Sequence, residues 1–156
     1  MMIDPGWEKP SPKMWRMRST EVVVLTVVAA AIVAASTAAA GATAVAIGVA
    51  VVVVLGAIDL WVERRRYLSW SYQERGDDLV VRRGVMFRRL SVVPYGRMQF
   101  VDVTAGPWER LFGLSTVKLH TAAAASDARI PGLEPQEAAR LRDRLAQLGE
   151  AKAAGL

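Results

Sequence analysis

Cysteine and asparagine are absent from the 156 residues, and histidine occurs once, at His120. Without cysteine there is no disulfide framework, no thiol nucleophile and no thiolate-ligated metal, and a single histidine leaves no histidine-rich metal site. No cofactor is implied: the sequence has neither a Walker loop nor a paired-glycine dinucleotide turn. The largest gap is one of charge. Residues 22–58 contain no Asp, Glu, Lys or Arg.

That uncharged stretch organises the chain. As one helix it would run about 55 Å at 1.5 Å per residue, against a bilayer hydrocarbon core of about 30 Å. A single span would need a tilt of about 60°, outside the roughly 0–40° that membrane helices adopt. Two spans joined by a turn fit instead. The turn is expected near residues 38–43, where Val and Ile give way to Ala, Thr and Gly41.

Apolar residues make up 53% of the chain and charged residues 22%, and the two classes are segregated. Such segregation marks a membrane segment joined to a water-soluble module. Four parts are expected: a basic N-terminal arm at 1–18, a two-helix hairpin at 19–62, a folded domain at 63–149 and a flexible tail at 150–156. The arm carries Pro5, Pro10 and Pro12, which disfavour helix in its first half. A cleaved signal peptide is disfavoured, because the arm is long and the apolar run resumes at Ala44.

Trp15, Arg16 and Arg18 precede the first span, and Trp61 with Arg64, Arg65 and Arg66 closes the second. Tryptophans and cations at these positions suit the headgroup layer. With basic flanks at both ends and an uncharged turn, the positive-inside rule places both termini in the cytoplasm and the turn outside. Asp59 is expected in the headgroups beside the arginines. Ala30, Ala34 and Ala38, with Ala44, Gly48 and Gly56, are spaced to let the two helices approach closely.

From Tyr67 the pattern changes. Short alternating runs separated by turn residues indicate strands at 67–72, 79–83, 85–93, 97–104, 114–121 and 127–131. Turns are expected at 74–78, 94–96 and 122–126, and a loop or single helical turn at 106–113. Met98 and Phe100 would share one face of their strand, and Val101 and Val103 the other. Residues 134–148 form an amphipathic helix, with Ala138, Leu141, Leu145 and Leu148 as its apolar stripe. Strands followed by such a helix make an antiparallel sheet or a barrel closed by the helix.

Several pieces resemble one family. They are Ser11-Pro12 with Trp15-Arg16 before paired spans, Gly84-Val85 after a basic strand, Val93-Pro94 with Arg97-Met98-Gln99, and the run from Glu109 to Val117. In order and spacing they are similar to the bacterial pleckstrin-homology-like membrane proteins of the YdbS type. The resemblance implies a membrane α-hairpin followed by an α+β, mainly β domain. That domain would be a split β-barrel of about seven strands capped by a C-terminal helix and held at the cytoplasmic face of the inner membrane. It carries over no catalytic residue. Phosphoinositide-binding members of the wider class keep a basic first turn, whereas residues 74–78 here are mainly acidic.

Arg82, Arg83, Arg88 and Arg89 admit two readings: an anionic-lipid patch, or a solvated strand face. Adjacent arginines on a strand point to opposite sides, which favours the second. Trp108, Leu111 and Phe112 could meet lipid or a partner, or cover an open barrel end, and the covering role is favoured. Asp102, Ser115 and His120 lack the surroundings of a hydrolase triad. His120 is expected to be a strand residue with one partner. Basic sheets with aromatic platforms are not evident, so nucleic acid is not an expected partner. The reading is a non-catalytic scaffold or protein-interaction module contacting membrane lipids. Its partner would be another membrane protein of the same family or a second copy of the chain. A sensor of anionic lipid headgroups is the alternative.

Overall fold

The computed structural model describes residues 6–122 and 127–155. The chain divides into two compact units. One is Trp15–Arg65, and the other combines Met1–Met14 with Arg66–Leu156.

The first unit holds most of two long helices, α1 (Pro12–Thr37) and α2 (Ala42–Ser69). Between them lie a 3-10 turn at Ala38–Ala40 and Gly41, with φ +97°. The turn falls where the loss of Val and Ile placed it. Both helices are long and apolar enough to cross a membrane. Val23, Leu25, Ile47 and Leu55 on all sides of the hairpin are exposed. A helix apolar around its whole circumference needs an apolar surrounding, which water does not supply. Thr26 and Thr37 donate their hydroxyls to the carbonyls of Val22 and Val33 at 2.8 and 2.7 Å, which satisfies both within α1.

Small residues bring the two helices together. A Cβ on Gly48 would stand 2.6 Å from Val33 Cγ1, and one on Gly56 would overlap the Thr26 side chain. Ala30, Ala34 and Ala44 are half-buried as well, whereas Ala38 is exposed in the turn.

The second unit contains six strands among the described residues, in two three-stranded antiparallel sheets ordered β1-β2-β3 and β4-β5-β6. The strands are β1 (Ser71–Glu74), β2 (Asp78–Arg83), β3 (Arg89–Pro94), β4 (Met98–Thr104), β5 (Ser115–Thr121) and β6 (Ala128–Leu133). A short helix, α3 (Pro107–Leu111), joins β4 to β5, and α4 (Pro135–Ala153) follows β6. The core is formed by Leu79, Val81, Val93, Val117, Leu119, Ile130 and Leu133 from the strands, with Ala138, Leu141 and Leu145 from α4. The expected stripe is therefore the buried face of α4, and Leu148 packs partly buried beside it.

Several boundaries differ from the sequence reading: α1 already begins at Pro12, inside the arm expected at 1–18, and β6 runs to Leu133 rather than 131. Residues 67–69 belong to the last turn of α2, so β1 begins only at Ser71. Residues 84–88 form a connection, and β3 begins at Arg89. α4 runs to Ala153, five residues past the expected end at 148, and takes in part of the supposed tail. Of the turn expected at 122–126, residues 123–126 lie outside the described residues. A register shift between Met98 and Phe100 also changes the faces of β4. An extra residue in one strand reverses the alternation. Met98 thus packs on the core with Val101 and Val103, while Phe100 is exposed.

The described part of the N-terminal arm up to Met14 belongs to this unit. Glu8 forms an isolated antiparallel bridge to Tyr72 at the free edge of β1. Ser11 N–H donates to the carbonyl of Gly132 in β6 at 2.8 Å, and Lys13 Nζ pairs with Glu134 at 2.8 Å. A segment too short to show periodicity thereby ties one sheet to the other.

Candidate membrane-interface and docking surfaces

The residues expected in the headgroup layer pair locally. Within the helical unit, the Arg64 guanidinium lies 5.9 Å from the Trp15 ring centroid and Arg65 lies 4.9 Å from that of Trp61. Both distances permit cation–π attraction. Trp15 is on α1 and Arg64 on α2, so the aromatic and basic ends of the two helices meet. Arg18 pairs with Glu21 at 3.0 Å. Arg16 and Arg66 are exposed.

Arg82 and Arg83 diverge, as neighbours on a strand must. Arg82 donates to Ser71 Oγ at 3.2 Å and lies 4.9 Å from the Trp7 ring centroid; Arg83 lies 5.8 Å from that of Trp70. Arg88 and Arg89 are exposed, and Arg89 is the register partner of Arg83. The four arginines are therefore not one uniform patch. Two are engaged by tryptophans, and two border the β2–β3 connection. Met86 and Phe87 in that connection are 85% and 84% exposed, more than any other large apolar residue described.

Trp108 and Leu111 lie on α3, and Phe112 follows it. Trp108 and Leu111 are exposed, and Phe112 is half-buried. What anchors α3 is Glu109, whose carboxylate accepts bonds from Thr116 Oγ1 at 2.6 Å and Gly106 N–H at 2.7 Å.

The acidic β1–β2 turn is tied to α4. Glu74 pairs with Arg144 at 3.0 Å and Asp77 with Lys152 at 2.9 Å. A turn neutralised in this way is a poor receptor for a polyanionic headgroup.

Asp102, Ser115 and His120 are not brought together as a triad. Ser115 is buried, and Asp102 is exposed opposite Lys118. His120 stacks on Phe100, ring centroids 4.4 Å apart, and its Nδ1 is 3.3 Å from Asp127. Among the described residues no cluster of His, Asp and Glu could hold a metal ion.

Two concave features were not foreseen. A polar pocket of about 590 Å³ is lined by Glu8, Tyr72, Glu137, Arg140 and Arg144, among others. Tyr72 donates its hydroxyl to Glu137 Oε1 at 3.2 Å. Burial, then the hydrogen bond to Glu8 and the charge of Glu137, hold this phenol protonated far above its ordinary range. The second is a cleft of about 260 Å³ between β4 and α4, lined by Met98, Phe100, Ala146, Gly149 and Ala153, among others. It follows β4, an edge strand of its sheet. Small residues on α4 leave the space. The pattern Ala146, Gly149, Ala153 was the available signal, but it lies beside the apolar stripe and reads as ordinary helix.

Comparison with known proteins agrees with this architecture. The family model described as Bacterial PH domain matches residues 22–149. The chain is 30% identical over 141 residues to the transmembrane protein YdbS of Bacillus subtilis (strain 168), an alignment covering 87% of this chain and 86% of that protein. No solved structure matches it.

Proposed function

The chain belongs to the bacterial PH domain family, and from that premise we propose that it is a non-catalytic scaffold, a protein-interaction module fixed at the cytoplasmic face of the inner membrane. It is a membrane-associated protein with a PH-like domain, similar over most of its length to a transmembrane protein. The observation that carries the finer reading is the pairing of Glu8 with Tyr72. Residues before the first apolar helix and residues after the second belong to one folded unit. That arrangement calls for both on the same side of the bilayer. The cations flanking the two helices, against an uncharged turn, favour the cytoplasmic side. The stretch at Glu8 also supplies a seventh extended segment beside the six strands, which supports the split-barrel reading.

The interaction role rests on the outer edge of β4. An edge strand presents unpaired backbone donors and acceptors, and an extended segment of another chain can pair with them. Beside this edge, Phe100 is 52% exposed and the cleft against α4 is open. The partner is a second copy of this chain or another membrane protein of the same family. A photo-crosslinking residue at position 100, in native membranes, should give a protein adduct. Recovery of monomer alone under all conditions would count against the scaffold.

The alternative, a sensor of anionic headgroups, draws on the exposed Arg88 and Arg89. The ion-paired acidic β1–β2 turn weighs against recognition of a specific polyanionic headgroup at that place.

A further inference from the structure

We propose that the β2–β3 connection, residues 84–88, is a membrane-surface wedge: Met86 and Phe87 enter the acyl boundary of an anionic bilayer while Arg83, Arg88 and Arg89 engage lipid phosphates. The inference is independent of the partner bound at β4.

The apex is shaped by its own backbone. Gly84 has φ +111°, and a Cβ there would overlap the Phe87 carbonyl oxygen. Only glycine permits so tight a return. The return lifts Met86 and Phe87 clear of the domain, at 85% and 84% exposure. Two adjacent large apolar side chains held out in water cost free energy until something apolar covers them.

The charges around the tip select what covers it. No acidic residue occurs from 79 to 101, whereas Arg82, Arg83, Arg88 and Arg89 flank the apex. Arg83 and Arg89 are register partners across β2 and β3. Like charges directly opposite one another repel, and an anion between them relieves that repulsion. Apolar side chains ringed by cations fit the boundary between acyl chains and phosphates.

Gly84 N–H donates to Ser69 Oγ at 3.2 Å, and Ser69 is the last residue of α2. Ser69 is three residues past Arg66, an advance of about 4.5 Å along a helix. The base of the connection is therefore bonded to the chain three residues past Arg66.

The intact wild-type protein tests this through Met86 itself. In nanodiscs of phosphatidylcholine mixed with phosphatidylglycerol, oxidation of Met86 by aqueous peroxide should be about tenfold slower than in phosphatidylcholine alone, given the contribution of each cation near an anionic surface. The double variant Arg88→Gln, Arg89→Gln should abolish most of that protection. Equal oxidation rates in the two lipids would overturn the wedge. A second measurement exploits the absence of cysteine. A spin label at Met86→Cys should be shielded from an aqueous nickel complex and open to oxygen in the anionic discs. A label at Asp143→Cys, exposed on α4, should stay water-accessible. Shielding of position 86 in native membranes but not in nanodiscs of lipid alone would mean that a protein covers the tip, and would also overturn the proposal.

Discussion

Glu8 and Tyr72 are bonded backbone to backbone in both directions, with N–H to carbonyl distances of 2.8 and 2.9 Å. Two long apolar helices separate these residues in sequence, yet one completes the sheet edge begun by the other. The domain is discontinuous in the chain, and a fragment beginning after the second helix lacks one of its edges.

Glu8→Pro follows directly. Proline cannot donate to Tyr72, and the buried carbonyl loses its partner. The cost should be about 1–3 kcal/mol. A chemical-denaturation curve of the full-length protein in mild detergent should shift to lower denaturant. A Lys9→Ala control, away from these bonds, should leave it in place.

The hairpin makes a second prediction. Gly56 faces Thr26 with no room for a Cβ. Gly56→Leu should destabilise the helical unit by about 1–3 kcal/mol through overpacking. Ala57→Leu, on the exposed side, should be nearly neutral. Thermal melts of the two variants in the same detergent distinguish them.

Alkaline pH makes a third. The ordinary phenol value is 10.0, and Tyr72 is held above it by burial first and then by Glu8 and Glu137. Tyr95 is raised too, by burial and then by the charge of Glu74. In the unfolded chain both ionise near pH 10, while in the folded domain they stay protonated. Their contribution is therefore complete below pH 10 and is lost as pH rises beyond it. The denaturation midpoint should fall above pH 10. In Tyr72→Phe it should start lower, for want of the bond to Glu137, and fall less steeply.

Long-period patterns were legible in the sequence. The uncharged stretch gave two helices with the turn in place, and the stripe Ala138, Leu141, Leu145 became the buried face of α4. β2, β4 and β5 lie close to their expected bounds, and in β5 Lys118 is exposed between buried Val117 and Leu119, as its alternation requires. Failures came where one residue or a few decide. Tyr67, Leu68 and Ser69 alternate well enough for a strand, but α2 simply continues through them. The Gly84 turn hides Met86 and Phe87 inside what reads as a strand. The register shift after Met98 moves that residue to the core. The Glu8 pairing spans two residues and has no periodicity, and Trp7 and Trp70 acquire their arginines only once the sheet is built. The membrane-flanking cations were visible; their partners were not.

The most direct measurement concerns sidedness. Single cysteines at Lys9→Cys and Asp143→Cys, each in an otherwise cysteine-free chain, can be probed with a membrane-impermeant thiol reagent. Both should react in inside-out membrane vesicles and neither in right-side-out vesicles. Reaction of the two positions from opposite faces would contradict the account.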